Sequence, residues 1–84
     1  MRKIRVEIRG PEGDYWRCTI RQWCLEVKDL LEQEYGIELV VVERDEDGEI
    51  SVFVEGEEAF SGVPGEEGYL LELLKSKIER VLRR

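Results

Sequence analysis

The sequence contains no histidine, only two cysteines, only two prolines and no long apolar run. Without histidine, the chain lacks the most common general base and metal ligand. Two cysteines are too few for the disulfide framework of a small secreted domain. No stretch approaches the roughly 20 apolar residues that span a bilayer, and the alternating N-terminus is not typical of a signal peptide. We therefore expect a cytoplasmic protein with free thiols, no membrane association, no metal and no cofactor.

The 84 residues are enough for one domain, residues 1–84, and the 42% hydrophobic fraction is typical of a folded chain. Asparagine is absent and only two glutamines occur, whereas glutamate and arginine are abundant. Charged side chains in place of heat-labile amides are typical of thermophilic proteins, so a thermophilic source is a hypothesis.

The net charge of −7 is unevenly distributed along the chain. Residues 1–9 carry +3 and residues 75–84 carry +4, which leaves −14 on residues 10–74. Because an acidic centre repels phosphates, a nucleic acid would have to bind to the basic termini alone. Binding of RNA or another anion there is the weakest of the functional hypotheses, since basic residues in a final helical turn also complement the helix dipole.

Period-two alternation predicts a strand over residues 3–9, in which Ile4, Val6 and Ile8 share one face. Apolar residues at helical spacing then predict a long helix that ends at Tyr35, before Gly36 as its C′ residue. The predicted buried stripe of this helix is Ile20, Cys24, Val27 and Leu31. Asp14 and Thr19 are both possible N-caps, and Thr19 is the better candidate because Gln22 completes a capping-box spacing.

The second half of the chain predicts two further strands, over residues 37–43 and 50–55, and a weak fourth strand over residues 58–61. A leucine-rich helix closes the chain. The predicted fold class is α+β, a small mixed β-α-β-β-(β)-α sheet with two helices on one face. The first two strands are expected to be parallel, because a right-handed crossover connects them.

The sheet face that the helices leave open is predicted to be partly apolar, because it carries Val40, Val42 and Phe53. An apolar patch of this kind indicates a protein contact, although single exposed apolar residues are also normal. We expect a protein partner or self-association as a homodimer through these three residues.

The two cysteines have different predicted roles. Cys24 lies on the buried stripe and is expected to be a small core residue. If Thr19 is the N-cap, Cys18 directly precedes the first helical turn, where unpaired amides, the helix dipole and the neighbouring Arg17 and Arg21 would favour a thiolate. Cys18 is therefore the candidate catalytic residue, and packing against Trp23 is the structural alternative.

Two loops have partial matches to binding motifs. Residues 43–54 have the alternating acids and the glycine of a calcium loop but carry Val54 where a bidentate glutamate is required, so an acidic turn is the better interpretation. Residues 62–68 are rich in glycine and precede a helix but contain Glu66 and Glu67 and no P-loop lysine. Neither motif predicts a metal or phosphate site.

Residues 48–57, the Phe-Ser pair at 60–61, the Gly-Val-Pro element at 62–64 and the leucine-rich final helix resemble the selenoprotein W-type branch of the thioredoxin-like proteins. The resemblance implies a strand–helix–strand–strand–strand–helix order, with the first strand between the second and the third. That family has a C-x-x-C or C-x-x-selenocysteine motif after the first strand. Here residues 15–18 read Tyr-Trp-Arg-Cys, after about four inserted residues, so only Cys18 matches, at the second thiol position.

These observations leave two main functional hypotheses. The first is a thioredoxin-like protein whose single thiol, Cys18, forms mixed disulfides, or a redox-inert relative of such proteins. The second is a non-enzymatic interaction module that dimerises through Val40, Val42 and Phe53.

Overall fold

The computed structural model describes residues 1–84, which form four strands and two helices. The elements in chain order are β1 (Arg2–Gly10), α1 (Tyr15–Tyr35), β2 (Ile37–Asp45), β3 (Ser51–Val54), β4 (Glu57–Ser61) and α2 (Glu67–Leu82). The α+β class and the element order that the sequence predicted are confirmed. The fourth strand, for which the sequence signal was weak, is present.

The four strands form one mixed sheet in the order β2-β1-β3-β4. β1 pairs with β2 in parallel and with β3 in antiparallel orientation, and β4 pairs antiparallel with β3. The first strand therefore lies between the second and the third, as expected. Such an arrangement is a property of the fold and does not by itself assign an activity.

Both helices pack on one face of the sheet and enclose a single apolar core. The predicted stripe of α1 is buried, as are the alternate residues of β1 and the inward residues of β3. The buried apolar residues are Ile4, Val6, Ile8, Ile20, Cys24, Val27, Leu31, Ile37, Leu39, Ile50, Val52, Val54, Leu70, Leu74, Ile78 and Val81. Neither helix has the length and apolar character that a membrane crossing requires.

The start of α1 differs from the preferred sequence prediction. Asp14, not Thr19, is the N-cap, because its carboxylate accepts the backbone N–H groups of Trp16 and Arg17. Thr19 lies inside the helix, where its hydroxyl donates to the carbonyl of Tyr15. The predicted end is confirmed: Gly36 adopts a left-handed conformation (φ 63°) and its N–H bonds the Glu32 carbonyl.

Three loops meet at one end of the molecule, which is called the loop end here: residues 10–14, 46–50 and 62–66. They follow β1, β2 and β4 respectively. Backbone hydrogen bonds hold them together, from Glu46 to Gly10 (2.9 Å) and from Gly62 to Ile50 (2.7 Å). Gly10 packs closely against Ile50, since an added Cβ would lie 3.0 Å from a side-chain atom of Ile50, which would then have to shift.

Candidate functional site

Cys18 lies in the first turn of α1, at the loop end, and its side chain is exposed. It is the fourth residue of the helix rather than the residue before it, so the predicted position outside the first turn is wrong. Its own N–H bonds the carbonyl of Asp14, and the Asp14 carboxylate occupies the amides of Trp16 and Arg17. The amides that would favour a thiolate therefore already have an acceptor.

Arg17 does not assist Cys18 as the sequence suggested. Its guanidinium is directed towards the sheet, where it donates to Glu43 (3.1 Å), to Asp45 (2.6 Å) and to the carbonyl of Gly10 (3.1 Å). Only 9% of Arg17 remains exposed. The hydrogen bond to Asp45 raises the pKa of Arg17 above its ordinary value, and this effect is larger than the lowering that burial causes. Arg21 also bonds Glu43 (3.2 Å), so both arginines are engaged with carboxylates.

The surroundings of Cys18 are acidic and aromatic. The loop end carries exposed or partly exposed carboxylates on every loop: Glu12, Asp14, Glu46, Asp47, Glu49 and Glu66. Tyr15 and Trp16 are 72% and 46% exposed and pack edge to face, with ring centroids 5.1 Å apart. These carboxylates make the loop end an acidic surface, which repels an anionic substrate.

Cys24 is fully buried on α1, as the sequence predicted. Burial raises the pKa of its thiol to about 12. The two cysteines are both free, and six residues of helix separate them by about 9 Å of rise, beyond disulfide reach. Dithiol chemistry within one chain is therefore excluded by the geometry.

Val40, Val42 and Phe53 all lie on the open face of the sheet, opposite to the helices. The register places Val42 beside Glu7 of β1, which in turn lies beside Phe53 of β3. Val40 lies beside Arg5 in the next row. The apolar residues are thus brought onto one face, but side chains of the central strand separate Phe53 from the two valines.

Glu7 and Arg9 of the central strand are bound within this face. Glu7 forms ion pairs with Arg9 (3.5 Å) and with Arg44 (3.9 Å), and the Arg9 guanidinium lies 3.7 Å from the centre of the Phe53 ring. Their side chains are only 13% and 22% exposed. These contacts were not predictable from the sequence, because they depend on cross-strand register.

The charge of the open face differs from that of the whole chain. The strands place four basic and three acidic side chains on it, against a net charge of −7 for the protein. These residues are Lys3, Arg5, Glu7, Arg9, Glu38, Arg44 and Glu58. The open face is therefore close to neutral, and the acidic excess lies mainly on the loops, since α1 carries a net charge of −1 and α2 of zero.

A groove of about 850 Å³ runs between α1 and the edge strand β2. Apolar atoms of Met1, Leu25 and Val40 line it and are exposed. The Glu32 carboxylate accepts the outward N–H of Leu39 (2.7 Å) and the ammonium of Lys28 (3.0 Å). The sequence did not predict this groove, because its walls lie on separate elements.

No group of three or more His, Cys, Asp or Glu side chains converges as a metal site requires. No family model matches the chain, and no curated protein or solved structure matches it either. The features of the chain that can carry a function are therefore Cys18, the open face and the edge strand β2.

Proposed function

We propose that the protein is a non-enzymatic protein-interaction module that presents the open face of its sheet, with Val40, Val42 and Phe53, to protein partners. Self-association through this side of the sheet is part of the proposal. The observation that carries it is the character of the open face, which is nearly neutral on a strongly acidic chain and on which Glu7 and Arg9 of the central strand are paired with each other.

Internal pairing lowers the cost of burying this face. An ionised group loses free energy when it leaves water without a partner, but Glu7 already lies between two arginines and Arg9 already covers Phe53. A partner that covers these groups therefore removes little water from them. Depletion of free charge and the presence of aromatic and arginine side chains are typical of the centre of protein interfaces.

The face is also large enough for a specific contact. Standard interfaces bury roughly 800 Å² on each partner, which is about one sixth of the 4974 Å² surface of this chain. The Cα extents of the molecule are 32 × 22 × 17 Å, and the product of the two longer ones, about 700 Å², is close to this area.

Sedimentation equilibrium from micromolar to millimolar concentration tests the proposal. We expect the mass to rise from 9.9 kDa towards that of a dimer. Val42→Lys places a charge on the open face and should weaken association strongly. Leu30→Lys is the matched control, because Leu30 is 51% exposed on α1, away from this face. A mass that stays monomeric at every concentration would contradict self-association.

Thiol chemistry at Cys18 is the second candidate, and the exposure of its side chain favours it. The resemblance to selenoprotein W-type proteins supports it only through Cys18, since no second thiol is within reach. The step would be thiol–disulfide exchange: the Cys18 thiolate attacks an external disulfide, a mixed disulfide forms and one thiolate leaves. Incubation with oxidised glutathione should add one glutathionyl group to the wild type and none to Cys18→Ser. A wild type that remains unmodified would exclude this candidate.

A further inference from the structure

β2 is an edge strand of nine residues, and no strand pairs with its outer side. The opposite edge, β4, has five residues and an irregular register against β3. A long edge strand offers free N–H and C=O groups to another strand. The outer side of β2 is therefore the part of the sheet best suited to strand pairing.

Backbone contacts show which residues of β2 point outward. The N–H of Leu39 points away from β1 and donates to Glu32, whereas the N–H of Glu46 points inward and donates to Gly10 of β1. Because the direction alternates along a strand, Val41 and Glu43 also point their N–H and C=O groups outward. The even-numbered residues direct theirs to β1.

We propose that two copies of the chain pair their β2 strands in antiparallel orientation, with the two-fold axis at Val41, so that the two sheets become one. This proposal rests on the proposed self-association and specifies its geometry. With the axis at Val41, each residue of one copy lies opposite the residue of the second copy that is equally far from Val41 in the other direction. Val40 then lies opposite Val42 of the second copy, and Glu38 lies opposite Arg44 of the second copy.

The pairing is complementary on the open face. Apolar cross-strand pairs and opposite charges both stabilise an antiparallel pair, and the two-fold axis makes each of these pairs occur twice. Moving the axis by one residue, to Val40 or to Val42, would instead place Val42 opposite Glu38 or Val40 opposite Arg44 of the second copy. The sequence of β2 therefore favours this register over its neighbours.

The other side of the seam is complementary as well. The axis places Leu39, which lines the groove, opposite Glu43 of the second copy, so the Leu39 N–H exchanges the Glu32 carboxylate for the carbonyl of that Glu43. Glu43 carries Arg21 on its carboxylate (3.2 Å), so Arg21 of the second copy is brought towards the carboxylates of Glu32 and Asp29 in the groove. The exposed apolar atoms of Leu25 are covered by the arriving strand.

The resulting dimer has a continuous sheet of eight strands, and the two open faces join into one surface. Phe53 lies two strands from the seam and remains accessible to a further partner. Edge pairing therefore leaves the open face accessible and doubles its area.

Engineered disulfides test this register. In a Cys18→Ser background, Val40→Cys and Val42→Cys are prepared as separate chains, and the buried Cys24 remains unreactive. Residues 40 and 42 of opposite copies form a non-hydrogen-bonded pair with Cα atoms about 4.5 Å apart, within disulfide range. Two copies of residue 40 are offset by about 6.6 Å along the strand in addition to the strand spacing. We therefore expect mild oxidation to cross-link the mixture and to leave each variant alone mostly uncross-linked.

Two further variants separate the possible outcomes. Val41→Pro removes an outward N–H that the β1 ladder does not use, so circular dichroism should remain native while association weakens roughly ten-fold or more. Phe53→Lys should leave edge pairing unchanged. If a dimer forms that Phe53→Lys disrupts, that Val41→Pro does not, and that gives no 40–42 cross-link, edge pairing is wrong and the proposed function stands. A strictly monomeric wild type would overturn edge pairing and the self-association part of the proposed function, and would leave the binding of other proteins by the open face to be tested separately.

Discussion

Arg17 is the residue that ties the first turn of α1 to the ends of β1 and β2. It is nearly buried and donates to two carboxylates and one backbone carbonyl. Arg17→Ala removes three hydrogen bonds, and bonds that involve charged groups contribute about 1.5–3 kcal/mol each. Glu43 keeps Arg21 and the Gly10 carbonyl keeps the N–H of Glu46, so Asp45 is the acceptor that loses its donor. Because Asp45 is largely exposed, we expect a total loss of about 2–3 kcal/mol in urea unfolding followed by tryptophan fluorescence.

Arg21→Ala is the matched control for Arg17→Ala. Arg21 shares the acceptor Glu43 but its side chain is 49% exposed, so we expect a loss below about 1 kcal/mol. Equal losses for the two variants would show that burial of Arg17 adds nothing.

The two cysteines should differ in reactivity because only one is accessible. Cys18 is exposed, whereas Cys24 is buried and its thiol has a pKa of about 12. Since the thiolate is the reactive form, iodoacetamide at mildly alkaline pH should add one group to the native protein and two groups in urea. Mass spectrometry of the intact chain measures this, and Cys18→Ser should remain unmodified when native. A second adduct on the native wild type would mean that α1 opens readily.

Residue-level prediction from the sequence succeeded for Cys24 and was wrong for the position of Cys18. Cys24 was predictable because its place depends on helical periodicity alone. The position of Cys18 depended on a choice between two N-caps, and both Asp14 and Thr19 have suitable side chains. The longer helix puts Arg17 within reach of Glu43 and Asp45, about 26 and 28 residues further along the chain. No local pattern encodes contacts at that separation.

At the scale of elements, the start of α1 depends on Asp14. Its carboxylate accepts the N–H groups of Trp16 (2.8 Å) and Arg17 (3.2 Å). Loss of such a cap costs about 1 kcal/mol, so Asp14→Ala should lower the free energy of unfolding by about this amount. Thr19→Ala should change it little, because Thr19 is inside the helix. If Thr19→Ala were more destabilising than Asp14→Ala, the result would support the shorter helix, capped by Thr19, that the sequence predicted.

Glu32 connects α1 to β2, and its titration should be visible in the stability of the protein. The hydrogen bond from the Leu39 amide, and then that from Lys28, lowers the pKa of Glu32 below its ordinary value. A carboxyl group whose pKa is lowered in the folded protein stabilises the folded state at pH values above its unfolded pKa of about 4.3. This stabilisation is lost as the pH falls through the pKa that the group has in the folded protein.

Glu32→Gln should therefore lose less stability than the wild type between neutral pH and acid, as measured by urea unfolding at several pH values. Glu38→Gln is the control, because Glu38 makes only a distant, exposed ion pair with Lys3 (3.7 Å). Parallel pH profiles for wild type and Glu32→Gln would show that the Leu39 and Lys28 contacts do not perturb Glu32.

At the scale of the whole molecule, the sequence was sufficient for the element order and the side on which the helices pack. Periodicities of two and of 3.6 residues are local signals, and right-handed crossover fixes the first two strands. The groove beside β2 and the pairing of Glu7 with Arg9 and Arg44 were not predictable. They depend on register and on which strand lies at the edge, and both are set by contacts between distant elements.

Net charge should decide how self-association responds to salt. Two chains of charge −7 with centres about 25 Å apart repel each other by on the order of 3 kcal/mol at 0.01 M ionic strength. At 0.15 M the repulsion falls to a few tenths of a kcal/mol, because the screening length decreases from about 30 to about 8 Å. The two exposed Glu38–Arg44 pairs at the proposed seam contribute about 0–1 kcal/mol each and weaken with salt. Repulsion is the larger effect, so the dimer should become tighter as salt is added.

Glu72→Lys separates the long-range effect from the local one, because Glu72 is exposed on α2, at the side of the sheet away from β2. The change reduces the net charge by two without touching the seam. Sedimentation equilibrium should show a tighter dimer than the wild type at low salt and the same affinity at high salt. If salt instead weakens the wild-type dimer and Glu72→Lys has no effect, short-range ion pairs rather than net charge control association, and Glu38 and Arg44 become the next residues to exchange.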